Sequence, residues 1–234
     1  MRSFVLGATV LGGFLLATTA TPAAQAPASG ADVYHVHFTK AAPGQADALG
    51  KALMVPDKTA PMPDHFVVLR HQEGDDWDYA VIQHLGPKAE VTAAPGPPPP
   101  AGDLRSWHTD TFVSGPSWSD FTREMGLGGG SSAGGQVYIL GVHRPVSGHV
   151  DQLQKALSGA GPEGSKIQTG AVLMRHLEGS EWMFLAITRY NSWQDFATDR
   201  AAAAAAPSGT GGWADIRQHS AFHRDTIADR IYPK

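Results

Sequence analysis

The stretch Arg70-His71-Gln72-Glu73-Gly74-Asp75-Asp76-Trp77 recurs 105 positions later as Arg175-His176-Leu177-Glu178-Gly179-Ser180-Glu181-Trp182. Both copies share the pattern Arg-His-x-Glu-Gly-x-x-Trp. Each copy joins two runs of strand-forming residues through a Glu-Gly turn, which predicts a β-hairpin. A shared stretch at this distance is typical of an internal repeat, the feature that decides how the rest of the chain is interpreted.

Three more stretches of the first part of the chain recur in the second part, in the same order. They are Val33-Tyr34 with Val137-Tyr138, Leu49-x-Lys51-Ala52-Leu53 with Leu153-x-Lys155-Ala156-Leu157, and His108-x-Asp110-Thr111 with His223-x-Asp225-Thr226. The first two pairs are 104 positions apart and the last pair is 115 apart. Because the order is kept while the spacing changes slightly, we interpret the chain as a tandem duplication.

The matches place the first repeat at residues 32–113 and the second at residues 136–231. Residues 114–135 lie between them and are rich in Gly and Ser around residues 128–135. Such a composition is typical of a flexible connector.

One repeat has the predicted order β-α-β-β-α-β. Residues 33–39 alternate as a strand does, and Ala46, Leu49 and Leu53 recur at helical spacing. In the second repeat, Ser192 is a suitable cap for a second helix. In the first repeat the corresponding region holds the proline-rich residues 95–100, where we expect only a short helix followed by a polyproline loop.

A split β-α-β unit of this size is the ferredoxin-like arrangement. With the repeated Arg-His-x-Glu-Gly hairpin and the closing His-x-Asp-Thr strand, the chain resembles the dimeric α/β-barrel superfamily. That superfamily includes antibiotic-biosynthesis-type monooxygenases, haem-degrading monooxygenases and stress-responsive barrel proteins. The resemblance implies an α+β fold in which two ferredoxin-like units of one chain form a pseudo-dimeric α/β barrel. It brings no catalytic signature to carry over.

The first 26 residues are expected to be a signal peptide. Arg2 precedes an apolar run over residues 4–17, and small residues follow. The run is shorter than the ~20 residues of a membrane-spanning helix, so we expect cleavage and a periplasmic or secreted protein. The chain has no cysteine, which excludes disulfides and thiol catalysis. Its net charge of -4 argues against nucleic acid as a partner.

Two pairs of His and Asp in the closing strands are candidates for chemistry. His108 and Asp110 are two residues apart and share a strand face, as do His223 and Asp225. A carboxylate beside an imidazole fixes its tautomer and raises its basicity. The pair suits a general base or a ligand of a metal or haem. The alternative is a hydrogen-bonded pair that orders the end of each strand.

His35 and His37 share the face of the first strand opposite Tyr34, Val36 and Phe38. If that apolar set meets the helices, both histidines point into the barrel cavity. Their counterparts in the second repeat are Ile139 and Gly141, so a site here would belong to the first repeat alone. The alternative is a polar strand face without a ligand.

The hairpins carry further repeated residues. His71 and His176 are candidate ligand-binding residues, Arg70 and Glu73 are expected to form an ion pair, and Trp77 and Trp182 are expected to pack in the core or over the hairpin. The resulting candidates for catalysis are His37, His108 and Asp110. The candidates for ligand binding are His35, His71, His176, His223 and Asp225.

Three functions remain open on sequence alone. The first is a monooxygenase-like enzyme that acts on a small molecule in the barrel cavity, with a His base or bound haem. The second is a non-catalytic module that binds a small apolar ligand there. The third is a stress-associated barrel protein with a filled interior. No metal ligand set or cofactor is assigned. A polar cluster inside an accessible cavity favours the enzyme, and an apolar cavity favours the binding module.

Overall fold

The computed structural model describes residues 31–87, 104–127, 135–158, 167–178, 181–205 and 212–234. The expected signal peptide over residues 1–26 lies outside these ranges, as does the proline-rich stretch over residues 95–100.

The described residues form eight strands and five helices, which confirms the α+β class. The strands are β1 (Asp32–Ala41), β2 (Phe66–Glu73), β3 (Tyr79–Pro87), β4 (Arg105–Gly115), β5 (Val137–Pro145), β6 (Gln168–Glu178), β7 (Phe184–Tyr190) and β8 (Ser220–Tyr232). The helices are α1 (Ala46–Leu53), α2 (Trp118–Glu124), α3 (Val150–Ser158), α4 (Trp193–Ala205) and α5 (Gly212–His219).

All eight strands close into one antiparallel barrel in the order β1-β3-β2-β8-β5-β7-β6-β4. The strands of residues 32–115 stand in the order β4-β1-β3-β2, and those of residues 137–232 in the order β8-β5-β7-β6. The two sets join where β2 pairs with β8 and where β4 pairs with β6. Because the sheet closes on itself, no strand in it is left with an unpaired edge.

The barrel interior is the main hydrophobic core. Tyr34, Val36 and Phe38 of β1 lie in it together with Tyr138 and Leu140 of β5. Successive side chains of a strand point to opposite faces, so the residues between these apolar positions point outward. The core therefore fixes the face on which every other residue of β1 and β5 lies.

Helix α1 covers part of the outside of the barrel. Its buried residues Leu49 and Leu53 pack with Phe66 and Tyr79 in a second, smaller core. Gly50 allows the close approach, because a Cβ atom at this position would lie 2.7 Å from the Tyr79 hydroxyl oxygen.

The segment over residues 114–135 contains a helix where we expected only a flexible connector. Ser117 caps α2 by accepting a hydrogen bond from the backbone N–H of Asp120. Phe121 and Met125 are fully buried in the barrel core. The Tyr138 hydroxyl donates to the backbone oxygen of Met125 over 2.8 Å. This segment is packed because its apolar side chains fill one end of the barrel.

Polar contacts attach the start of α2 to the same end of the barrel. The backbone N–H of Trp118 donates to the buried carboxylate of Asp32 over 2.8 Å. The Trp118 ring stacks on His65 and His84, with ring centroids 4.6 and 5.2 Å apart. Nε2 of His84 contacts the same Asp32 carboxylate at 2.9 Å. The helix is therefore held by both packing and charge.

Two helices follow β7. Helix α4 begins beside Ser192, which accepts a hydrogen bond from the N–H of Asp195 over 3.1 Å, as predicted. Helix α5 was not predicted, and it contacts α3. Within the described residues, no helix is long and apolar enough to cross a membrane.

An ion pair connects the two halves at the junction of β2 and β8. Arg70 forms two hydrogen bonds with Asp229, at 3.1 and 2.7 Å. The expected pairing of Arg70 with Glu73 is wrong, because β8 brings a carboxylate directly opposite Arg70. Bidentate geometry is the arrangement that favours an arginine–carboxylate pair.

We expect Phe121→Ala to lower the free energy of unfolding by about 3–5 kcal/mol, because it leaves a cavity in the buried end of the barrel. Urea unfolding followed by circular dichroism measures this change. Ser119→Ala, at an exposed position of the same helix, should stay within about 0.5 kcal/mol of the parent. Equal stability of both variants would show that α2 does not support the barrel.

Candidate functional site

The strand register brings four of the predicted residues together. His37 of β1 lies directly opposite Asp110 of β4, His35 lies opposite Phe112, and His108 lies opposite Thr39. Directly opposite and diagonal neighbours on one face of an antiparallel pair are within side-chain reach. His35, His37 and His108 therefore surround Asp110, and we call these four residues the Asp110 cluster.

The carboxylate is the centre of the Asp110 cluster. Its Oδ1 atom lies 2.9 Å from Nε2 of His35 and 2.8 Å from Nδ1 of His37. Its Oδ2 atom lies 3.3 Å from Nε2 of His108. The rings of His37 and His108 stack with centroids 5.3 Å apart. One carboxylate thus orients three imidazoles.

The electrostatics of the Asp110 cluster favour a charged carboxylate and a neutral His37. Burial alone would raise the pKa of Asp110, but the hydrogen bonds from His35 and His37 outweigh it and hold the pKa well below its usual range. Burial lowers the pKa of His37, and this effect exceeds the opposing one of Asp110. At neutral pH the carboxylate can therefore hold the Nδ1 hydrogen of His37.

The Asp110 cluster lies on the outside of the barrel, so the expectation that His35 and His37 point into the cavity is wrong. The apolar set Tyr34, Val36 and Phe38 occupies the interior instead. The interior is enclosed by apolar side chains of both halves, and it is the more favourable place for these three residues. The histidines take the opposite face, where the side chains of His108 and Asp110 are 40% and 42% exposed.

The corresponding place in the second half is built differently. Asp225 of β8 lies opposite Gly141 of β5, and His223 lies opposite His143. A Cβ atom at position 141 would lie 2.7 Å from Nε2 of His143 and 2.8 Å from Oδ1 of Asp225. Gly141 therefore leaves the space into which both side chains lean. His223 packs against Trp213 and contacts Arg217 at 3.3 Å.

His143 was missed by the sequence analysis. It is 5% exposed, and its Nδ1 atom has no hydrogen-bond partner within the part of the chain described. Burial, with a smaller contribution from His223, lowers its pKa to about 4. Its counterpart in the first half is Thr39. His143 has no histidine counterpart in the first half, so the repeated pattern does not mark it. The alternation of residues along β5 was the sequence feature that could have placed it on the same face as Gly141.

His71 and His176 lie inside the barrel, separate from the outward-facing histidines. Their rings contact Trp77 and Trp182, each with centroids 5.5 Å apart. Both tryptophans are buried in the core, which confirms the expectation for them. The structure therefore does not bring the eight predicted residues into one site.

A cavity of about 410 Å³ opens at the end of the barrel opposite α2, and we call it the mouth cavity. Aromatic side chains from both halves line it. They are Phe38, Trp77, Trp107, Trp182 and Phe222. Trp77 and Trp182 occupy corresponding positions of the repeated hairpins, and Trp107 and Phe222 those of the closing strands. The volume lies within the range of small-molecule sites.

Charged residues also line the mouth cavity. Asp75 and Arg224 contact each other at 3.1 Å, and Asp76 pairs with Lys40, which is not itself a lining residue. Glu181 is the third carboxylate of the lining. The cavity thus combines aromatic walls with a polar rim.

The arrangement of the described residues does not favour metal or haem ligation. Among them, no three His, Asp or Glu side chains are arranged to hold a metal ion. In the Asp110 cluster, one nitrogen of each imidazole faces the carboxylate, and Nε2 of His37 is buried without a hydrogen-bond partner among the described residues. The described lining of the mouth cavity contains no histidine, so it offers no imidazole ligand to a haem iron.

Comparison with known structures supports the fold. A solved anthrone oxidase-like protein aligns with a TM-score of 0.52 and 14% sequence identity, over 87% of this chain and 92% of that chain. A candidate monooxygenase from Lactobacillus acidophilus NCFM aligns with a TM-score of 0.48 and 7% identity, over 86% and 94% of the two chains. No family model matches the sequence, and no curated protein matches it. At 14% identity the likeness confirms the resemblance at the level of the α/β-barrel fold.

We expect His143 to make the protein less stable in acid. Its pKa is about 4 in the folded protein, and about 6.5 in an unfolded chain. The unfolded chain therefore binds the proton more tightly, and stability falls as the pH drops below the unfolded value. Acidification from about pH 7.5 to about pH 5 should cost the parent about 2 kcal/mol more than His143→Gln.

Urea unfolding of parent and variant at both pH values measures this difference. Since each protein is compared with itself, any effect of the substitution at neutral pH cancels. An unchanged pH dependence in His143→Gln would show that this imidazole takes up a proton equally well in the folded and unfolded protein.

Proposed function

We propose that the protein binds a small planar aromatic molecule in the mouth cavity. The aromatic lining carries this proposal. Trp77 and Trp182 come from the two hairpins, and Trp107 and Phe222 from two closing strands. Flat rings on both sides of a cavity offer stacked and edge-on contacts to another ring, each worth about 0.5–1.5 kcal/mol beyond the area buried.

The placement of the histidines favours binding over catalysis inside the barrel. The Asp110 cluster, which an enzyme acting in the cavity would need there, lies on the outer face. The cavity itself is mainly aromatic, with a few charged residues. That combination corresponds to the binding module among the three functions that the sequence left open.

The duplication is part of the same proposal. The two sets of strands have equivalent orders, β4-β1-β3-β2 and β8-β5-β7-β6, and this equivalence supports the proposal of two ferredoxin-like units. The mouth cavity is lined by corresponding residues of both. We infer that the chain is a pseudo-dimer of two ferredoxin-like repeats that share this cavity.

Export is proposed from the sequence alone. The apolar run over residues 4–17 after Arg2 supports a cleaved signal peptide, and thus a periplasmic or secreted protein. A protein in that setting meets small molecules from outside the cell, which suits a binding function.

A panel of bicyclic aromatic compounds tests the binding proposal by isothermal titration calorimetry. We expect saturable binding that Trp107→Ala weakens about tenfold, since the substitution removes one aromatic wall. Trp193→Ala is the matched control, because Trp193 is 48% exposed and lies on α4, away from the cavity. Absence of binding across the panel, or equal loss in both variants, would contradict the proposal.

A second candidate function is proton abstraction at the Asp110 cluster, favoured by the three imidazoles on one carboxylate. His108 and His35 are the candidate bases, since their side chains are 40% and 21% exposed. The name of the structural neighbour suggests anthrone as a probe. A base would remove a proton from its C10 carbon, and the carbanion would reduce O₂, giving anthraquinone and water overall.

Anthrone consumption in air would then fall about a hundredfold in Asp110→Asn, because its imidazoles would lose the charged partner that orients them. Asp225→Asn changes the corresponding carboxylate of the second half and should keep the parent rate. A circular dichroism spectrum checks that both variants fold. If the parent is no faster than buffer, this second function is excluded for anthrone.

A further inference from the structure

We propose that the mouth cavity selects aromatic molecules that carry a positive charge, such as a planar organic ammonium or pyridinium compound. This inference rests on the proposed binding function and adds the charge of the ligand. It follows from the aromatic walls, the carboxylates of the rim, and the way in which the protein places its own cations there.

The walls favour a cation because the face of an aromatic ring is the negative part of its quadrupole. Trp77 and Trp182 are 4% and 7% exposed, so what remains accessible of them is turned to the cavity. Trp is the strongest partner in this interaction, and a desolvated cation gains the most from it. Three of the five aromatic walls are Trp residues.

The protein already uses one of these walls in this way. The guanidinium carbon of Arg224 lies 5.2 Å from the centroid of Phe222, and that of Arg144 lies 5.4 Å from the same ring. Phe222 therefore has two cations of the chain itself beside it. Among the described residues, no Lys or Arg side chain is paired with the rings of Phe38, Trp77, Trp107 or Trp182.

The rim of the mouth cavity adds negatively charged side chains, which attract a cationic ligand. Three carboxylates line the cavity, on Asp75, Asp76 and Glu181, against one guanidinium, on Arg224. Lys40 offsets Asp76, and Arg224 offsets Asp75. Glu181 has no ion-pair partner among the described residues. Arg144 lies over Phe222 but is not a lining residue, so the lining itself holds three carboxylates and one guanidinium. Low-dielectric walls concentrate the field of such a charge within a cleft and attract cations.

The positive charge of Arg224 does not give the mouth cavity a preference for anionic ligands. Its guanidinium contacts the Asp75 carboxylate at 3.1 Å and lies over Phe222. An anionic ligand beside Arg224 would also face three carboxylates and the negative faces of the rings. A cation meets attraction from both the walls and the rim.

Three bicyclic probes of similar shape test the inference by calorimetry: N-methylquinolinium, quinoline and 2-naphthoate. At about pH 8 the first is a cation, the second is uncharged and the third is an anion. We expect N-methylquinolinium to bind on the order of tenfold more tightly than quinoline, and 2-naphthoate to bind most weakly. Raising the salt from about 20 mM to about 500 mM should reduce the preference for the cation.

Glu181→Gln is the variant that tests the rim. It should weaken N-methylquinolinium about threefold and leave quinoline unchanged, because only the charge is removed. Asp64→Asn is the matched control, since it removes an exposed carboxylate on the loop before β2, which enters the barrel at the α2 end. It should leave the affinities of both probes unchanged.

The outcomes separate this inference from the binding proposal on which it rests. If quinoline binds as tightly as N-methylquinolinium and both are weakened by Trp107→Ala, charge selection is wrong and aromatic binding stands. If 2-naphthoate binds most tightly, charge selection is also wrong. If none of the three probes shows saturable binding, the site accepts no such molecule and both proposals fail.

Discussion

The packing of inward-facing apolar side chains from two halves into one closed barrel is the constraint on which the rest of the structure depends. Tyr34, Val36 and Phe38 can leave water only by meeting residues such as Tyr138 and Leu140 of the other half. Once that face of β1 is buried, strand geometry sends His35 and His37 outward. The positions of the Asp110 cluster and of the mouth cavity both follow from the burial of this apolar face of β1 inside the barrel.

The local structure was largely predictable because it depends on short-range patterns. Alternation located the strands, helical spacing located α1 and α3, and the capping residue Ser192 marked the start of α4. The two-residue spacing of His108 and Asp110 correctly put them on one face. What these patterns share is that each depends on residues within a few positions of one another.

The face that points inward could not be predicted, because it depends on what the opposite half of the barrel presents. Alternation shows that Tyr34 and His35 point to different sides but does not show which side is enclosed. Helix α2 was missed for a similar reason. Its stability comes from Phe121 and Met125 in the barrel core, and the Gly-rich composition beside it suggested a connector. A barrel cavity was expected, but its aromatic lining was not predicted, because the walls come from residues of six separate strand ends and hairpins.

The two halves share a scaffold but use its outer surface differently. Where the first half has His37 opposite Asp110, the second has Gly141 opposite Asp225, and His143 leans into the space left free. Differences at three equivalent positions, His35 and Ile139, His37 and Gly141, and Thr39 and His143, thus separate a carboxylate that contacts three imidazoles from a buried histidine that stays neutral near neutral pH.

Helix α2 affects how a small molecule can enter and leave the barrel. Phe121 and Met125 fill the barrel end from which β1 and β5 begin, while the mouth cavity opens at the other end. A ligand bound there as proposed would leave through this open end, because the described residues fill the other end. Entry of a second molecule therefore waits for departure of the first, and the rim residues Asp75, Asp76 and Glu181 are encountered twice, on arrival and on departure.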